Sequence, residues 1–203
     1  MRIISGKFKK QKLILPDPKI TRPLRDYVKE SLFNLLTHSP LLQFQFEKSS
    51  ILDIFSGSGS FGIECLSRGA SHVTFIENDK KSFEILKKNI QNFSILNEGN
   101  LIFGDFLKVQ LNFSLIKPNL IFLDPPFQFK LLGQIFERLS KSRKNLSDSI
   151  VMIHYEEGEK FNFSDYLDEI LKKNMVDLLF FLVKLRTKSI YFNLFNCWLV
   201  IWI

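Results

Sequence analysis

The sequence predicts an α/β fold, doubly wound, with a mostly parallel sheet covered by helices on both faces. Three observations predict it. Short apolar runs alternate along the chain with amphipathic stretches of helical period, the runs are continuously apolar, and the first passage from run to helix is rich in glycine. A strand covered on both faces has no polar side to show, so continuous runs joined through helices imply parallel pairing. The chain has 203 residues and is 45% hydrophobic, enough for one sizeable core and a small appendage.

The appendage comes first. "MRIISGKFKKQKLILP" holds two short apolar runs around Ser5-Gly6 and closes on Pro16, so residues 1–20 read as a basic hairpin or extended arm ahead of a main domain over 21–203. In "TRPLRDYVKESLFNLLTHSP", Val28, Leu32, Leu35 and Leu36 fall on one helical face and Arg25 and Lys29 on another, and Ser39-Pro40 ends the run. Strands are then expected at "SILDIF" (50–55), "HVTFIE" (72–77), "NLIFGD" (100–105), "NLIFLD" (119–124) and "SIVMIHY" (149–155). Helices are expected near 60–68, 80–92, 130–142 and 164–173. No internal repeat or linker divides the chain.

Charge is unevenly placed. Residues 1–30 hold nine cations (Arg2, Lys7, Lys9, Lys10, Lys12, Lys19, Arg22, Arg25, Lys29) against three acids (Asp17, Asp26, Glu30), a net of +6 out of +7 for the whole chain. Such asymmetry points to a polyanion, nucleic acid first, although a merely solubilising basic end has the same composition. Cys65 and Cys197 stand far apart, with neither a disulfide framework nor zinc-ligand spacing. A reducing, cytoplasmic setting and no metal are therefore expected. Arg2 is followed by no long apolar run, so a signal peptide is not expected either.

Four strand ends carry an acid: Asp53 within the first, then Glu77, Asp105 and Asp124. In open α/β sheets, ligands bind beyond the carboxyl ends of the strands. A single such acid is as easily a helix cap or turn former, but four in register are hard to assign to chance. "DIFSGSGSFGIECLSRGA" adds Gly57, Gly59 and Gly62 between strand and helix, the context that a G-x-G-x-x-G loop requires. A dinucleotide would place its pyrophosphate on the loop amides and the helix N-terminus. Asp53, four residues before Gly57, opposes a phosphate and suits an ammonium or sulfonium. Glu77 can accept from two ribose hydroxyls, and Asp105 can bound an adenine edge. S-adenosyl-L-methionine explains more of these acids than NAD does.

"NLIFLDPPFQFK" then stops a buried strand abruptly, because proline cannot donate to a ladder. The exocyclic amine of a nucleobase is a poor nucleophile, its lone pair being delocalised into the ring. The Asp124 carboxylate and Pro125 carbonyl, held rigidly by Pro125 and Pro126, could accept from such an amine. Phe127 offers a stacking face worth roughly 1–3 kcal/mol per base, and in-line methyl transfer depends on such positioning. A rigid turn with a core Phe would have the same sequence.

"RIISGKFKKQKL", "RPLRDYVKESLFN", "LDIFSGSGSFGIECLSRGA", "TFIEND" and "FLDPPF" together resemble the RsmD family of bacterial 16S rRNA guanine-N2 methyltransferases, from Arg2 to about Tyr155. The resemblance implies a Rossmann-like fold of class I methyltransferase type, with a small N-terminal β-hairpin or arm. It implies that S-adenosyl-L-methionine is held by Asp53, Phe55, Ser56, Gly57, Ser58, Gly59, Glu77, Asn78, Asp105 and Phe106. It implies that Asp124, Pro125, Pro126 and Phe127 hold a flipped guanine. Arg2, Lys7, Lys9, Lys10, Lys12, Arg22 and Arg25 would grip 16S rRNA, within a small-subunit particle, as a monomer. Leu24, Arg25, Tyr27 and Lys29 depart from the family's usual threonine-containing helix, so any contact those threonines make is in question. An adenine-N6 methyltransferase on DNA or RNA, or a non-catalytic RNA-binding assembly factor, would present many of the same features.

After Lys173 the resemblance fails. "NMVDLLFFLVKLRTKSIYFNLFNCWLVIWI" reads either as closing hairpin strands or as a frameshifted tail. Asn174-Met175-Val176-Asp177-Leu178 can be encoded so that the frame two bases on gives Tyr-Gly-Arg-Ser-Ile. A membrane span over the last 15 residues is not expected, since they are too short and hold two Asn.

Overall fold

The computed structural model describes residues 1–16, 26–40, 42, 44–125, 129–156, 167–175 and 178–185. Seven strands form one sheet in the order β3-β2-β1-β4-β5-β7-β6. They are β1 (Ser50–Ile54), β2 (His72–Glu77), β3 (Gly99–Phe103), β4 (Leu120–Leu123), β5 (Ile150–Glu156), β6 (Leu167–Met175) and β7 (Leu178–Leu185). The first five are mutually parallel, and β7 runs antiparallel to both β5 and β6. The helices are α1 (Asp26–His38), α2 (Ser60–Ser67), α3 (Lys80–Asn92), α4 (Phe113–Ile116) and α5 (Phe129–Lys141). This is the doubly wound α/β fold that the alternating pattern predicts, and it has the Rossmann-like class I methyltransferase form that the resemblance implies, with its switch point between β1 and β4.

The strand register divides the apolar residues into two cores. Ile51, Val73, Phe75, Leu120, Phe122, Ile150 and Met152 face α1, α2 and α3. Leu52, Ile54, Ile76, Ile121, Leu123, Val151 and Ile153 face the α5 side, with Phe106, Phe113, Ile135 and Phe136. Both faces are therefore dry, which is why the strands read as unbroken apolar runs. Phenylalanines form a column through the first core. Phe122 stacks on Phe61 with ring centroids 3.8 Å apart, Phe61 stacks on Phe33 at 5.1 Å, and the Arg68 guanidinium lies 4.3 Å from the Phe33 centroid.

The N-terminal arm doubles back on itself through an antiparallel bridge between Arg2 and Lys12. It docks on α2 and α3 through buried polar side chains. Both Glu64 oxygens accept from arm amides, Ile4 at 2.8 Å and Ser5 at 2.9 Å. Asn89 on α3 pairs with Ile14 as a strand would, accepting from its N–H and donating to its carbonyl at 2.9 Å each. Gly6 lies so close to α2 that a Cβ there would fall 1.7 Å from the Ser67 carbonyl oxygen.

Three expectations change. Lys29, expected on a different face of α1 from Val28, Leu32, Leu35 and Leu36, is itself fully buried, with its Nζ 3.3 Å from Glu64 and donating to the Arg2 carbonyl at 2.8 Å. The carboxylate supplies the partner that a buried ammonium requires. Second, residues 167–175 are strand β6 rather than part of a helix at 164–173, because pairing with β7 overrides the helix-forming composition of "LDEILKKNM". Third, α4 has no counterpart among the expected elements, being a single turn capped by Asn112. The closing strands β6 and β7 extend through Leu185. Residues 186–203, with Cys197 and much of the tail that reads either as closing hairpin strands or as a shifted frame, lie outside the described residues.

Candidate active site

Strand alternation assembles the site. Asp53 pairs in register with Phe75 on one side and Phe122 on the other. Laterally paired residues point to the same face, and so do residues two apart along a strand. Glu77 lies two residues beyond Phe75 and Asp124 two beyond Phe122, so both share the face of Asp53. The apolar rows that pack on α2 therefore continue, at the carboxyl edge of the sheet, into a row of acids. Met152, paired with Phe122, carries the same row to His154 on β5.

The glycine loop closes over this row. Phe55 at φ +67°, Gly57 at +55° and Gly59 at +80° turn the chain from β1 into α2. A positive φ at a phenylalanine is a strained backbone, of the kind that collects at ligand sites. A Cβ on Gly57 would meet no atom within 4 Å, so its backbone borders open space, whereas one on Gly62 would lie 2.3 Å from the Phe75 ring. Gly62 is thus required by helix–sheet packing, and Gly57 is the position open to a ligand. Ser56 spends its hydroxyl holding the loop: Oγ donates to the Asp53 carbonyl at 2.7 Å and accepts from the Ile76 amide at 3.0 Å. Ser58 is buried, and its carbonyl accepts from Asn89 at 2.8 Å, which ties the loop to the residue that holds the arm.

Asp53 is 1% exposed and accepts from the Gly62 amide at 3.0 Å. Burial pushes its pKa up to about 8; the Gly62 hydrogen bond opposes the rise, and the negative charges of Asp124 and Glu77 add to it. Glu77 accepts from the Gly57 and Asp79 amides, both at 2.7 Å. Burial raises its pKa as well, against the hydrogen bonds of Asp79, Gly57 and Asn78. Neither carboxyl forms a salt bridge among the described residues. Asp105 accepts from the Leu107 amide at 2.9 Å and lies 3.6 Å from Lys108. The Phe106 side chain is spent in the second core under Arg138, so only its backbone can border the rim. Asn78 is exposed beside Glu77. Asp124 is partly exposed, Pro125 is buried behind it, and Asp124 Oδ1 lies 2.7 Å from His154 Nδ1. Sequence reasoning did not single out His154; the signal was a lone polar residue ending the inward-facing positions of "SIVMIHY". Pro126, Phe127, Arg22 and Arg25 lie outside the described residues.

The basic residues of the arm, Arg2, Lys7, Lys9, Lys10 and Lys12, are all exposed. Lys9, Lys10 and Lys12 form no ion pair among the described residues, while Arg2 lies 3.7 Å from Asp26 and Lys7 3.9 Å from Glu98. The Lys7–Lys10 turn sits against Ser67, at the end of α2 remote from the glycine loop. Among the described residues no group of three or more His, Cys, Asp or Glu could hold a metal ion, and no helix is long and apolar enough to cross a membrane.

The family described as "Conserved hypothetical protein 95" matches residues 1–181. The chain belongs to that family. It is 34% identical over 203 residues to "Ribosomal RNA small subunit methyltransferase D" of Buchnera aphidicola subsp. Baizongia pistaciae, covering 96% of this chain and 91% of the relative. It is 37% identical over 168 residues to the protein of the same name in Haemophilus influenzae, covering 78% and 80%. The solved structure of yhhF from Escherichia coli superposes with a TM-score of 0.71 at 26% identity, covering 91% of this chain and 97% of that one. The family match, over residues 1–181, takes in the arm, the glycine loop and the Asp124 strand end together, as the resemblance in the sequence implied.

Proposed function

We propose that this protein transfers a methyl group from S-adenosyl-L-methionine to the exocyclic N2 amine of a guanine in small-subunit (16S) rRNA. The observation that carries the reading is the row Asp53, Glu77 and Asp124 on one face of the sheet, beside the open backbone of Gly57. The relatives named as small-subunit rRNA methyltransferases support the substrate class.

The residues present fit the cofactor. Two buried carboxyls with no salt-bridge partner among the described residues, one of them raised to about 8, form a cation-seeking site beneath a loop whose Gly57 leaves room for close approach. S-adenosyl-L-methionine, when bound, supplies an electrophilic methyl group on a sulfonium. Asp53 would hold its ammonium, Glu77 its ribose hydroxyls, and the Asp105–Phe106 backbone would border its adenine. A phosphate on the same loop would face Asp53 and Glu77, which disfavours NAD.

Asp124 and the Pro125 carbonyl would accept from the target amine, drawing its nitrogen out of the ring plane so that its lone pair can attack. Once the lone pair has taken the methyl group, the amine nitrogen would carry a surplus proton, and Asp124 or water would accept it. The stacking role expected of Phe127 belongs to the same proposal. The cations of the arm would grip RNA backbone at a distance: α2 is eight residues long, so its far end lies about 12 Å from the loop. Such contacts position the substrate without reading its sequence.

Incubation of small-subunit rRNA and of small-subunit particles with labelled cofactor, followed by nucleoside analysis, tests the reading. N2-methylguanosine is the expected product. Methyl on adenine N6 would reassign the acceptor, and no transfer to either substrate would leave a non-catalytic RNA-binding factor.

A further inference from the structure

Asp124 and His154 end neighbouring strands in the same row. Leu123 pairs with Ile153, so the next residues on β4 and β5 stand side by side, and Oδ1 of Asp124 lies 2.7 Å from Nδ1 of His154. A carboxylate only accepts, so at this distance Nδ1 carries the proton and donates it. The His154 side chain is 10% exposed and that of Asp124 is 29% exposed. The imidazole is therefore packed in the sheet edge, with the carboxylate on its open side.

This contact bears on the weakest point in the positioning of Asp124. Strand β4 ends at Leu123, so Asp124 itself has no ladder to stiffen it. A carboxylate turning freely about χ2 presents either oxygen to a substrate in a range of directions, and methyl transfer is sensitive to such misplacement. We propose that His154 is a positioning residue for Asp124: its Nδ1–H occupies Oδ1 and fixes the carboxylate plane, which leaves Oδ2 for the amine of the acceptor base. This deepens the methyltransferase reading and rests on it. His154 itself touches neither base nor cofactor, so it acts on turnover and not on binding.

Two substitutions separate that role from simple packing. His154→Asn keeps an N–H donor close to the position of Nδ1, and His154→Leu keeps the bulk without a donor. Steady-state methylation of small-subunit particles should show kcat at least tenfold lower for the Leu variant, with KM for RNA and cofactor within twofold. The Asn variant should stay within threefold of the wild-type kcat. Wild-type kcat in the Leu variant, an Asn variant as slow as the Leu variant, or a loss carried by KM would each overturn the inference. If the Leu variant fails to bind S-adenosylhomocysteine and so has lost its fold, the Asn variant decides alone: fast supports the inference and tenfold slow overturns it. A wild-type protein inert on RNA overturns the functional reading and this inference with it. An active wild type with an equally active Leu variant overturns this inference only.

Discussion

Asp53 shows how one residue couples stability to ligand. Its carboxyl titrates near 8 when folded, against an ordinary value near 4 when unfolded. Between those values the folded chain keeps a proton that the unfolded chain has released, so this group lowers stability as pH rises from about 4 to about 8. Glu77, also raised by burial, acts in the same direction. Melting of the ligand-free protein across pH 5 to 8 should therefore show a falling midpoint, and Asp53→Asn should flatten much of that fall. The cationic cofactor should bind more tightly as pH rises over the same range, with proton release measurable by calorimetry in buffers of different ionisation heat. At Asp124, substitution by Ala should abolish methyl transfer while the dissociation constant for S-adenosylhomocysteine changes by less than about threefold. Intact turnover in that variant would remove Asp124 from the chemistry. The acids themselves were legible in the sequence, because a strand that ends in a carboxylate is visible as a string of letters. His154 was not, since its meaning depends on which strand lies beside β4.

At the scale of elements, α2 does two jobs that a linear reading separates. Its first turn donates Gly62 N–H to Asp53, and two residues later Glu64 captures the arm. Glu64 is fully buried and holds Lys29, Arg68 at 2.9 Å and the amides of Ile4 and Ser5. Glu64→Gln leaves the buried Lys29 without its counter-charge, a loss of about 3–5 kcal/mol for pairs of this kind. Chemical denaturation should show it as a lower midpoint, and amide exchange of Ile4 and Ser5 should accelerate. If those amides stay protected, Glu64 does not hold the arm. Helix α3 is held conventionally by its Asp79 N-cap, which accepts from Ser82 N–H at 2.7 Å. The helices and central strands were readable because their apolar periods are complete within each segment. The β6 segment reads as helix from its letters because "LDEILKKNM" has no strand period of its own, and only its partner β7 decides its state.

Across the whole molecule, the arm, the column of phenylalanines and the acid row form one continuous body. Asn89 joins Ile14 of the arm to Ser58 of the glycine loop, so the basic surface is set in place relative to that loop. Replacing Lys9, Lys10 and Lys12 together with Ala should weaken RNA binding and reduce the slope of log affinity against log salt by about 2–3, near 0.7–0.9 for each phosphate that the lysines no longer neutralise. Cofactor affinity should not change, and an unaltered salt slope would remove these lysines from the RNA interface. The sequence by itself determined the doubly wound class, the glycine loop, the acids at four strand ends and the basic start, because each is a local pattern of hydrophobic period or residue chemistry. Only the tertiary structure decided that Lys29 is buried, that β6 is a strand, that Glu64 and Asn89 fasten the arm, and that His154 meets Asp124. Each of these is a contact between segments, and its energy depends on burial and distance that no single stretch of chain contains.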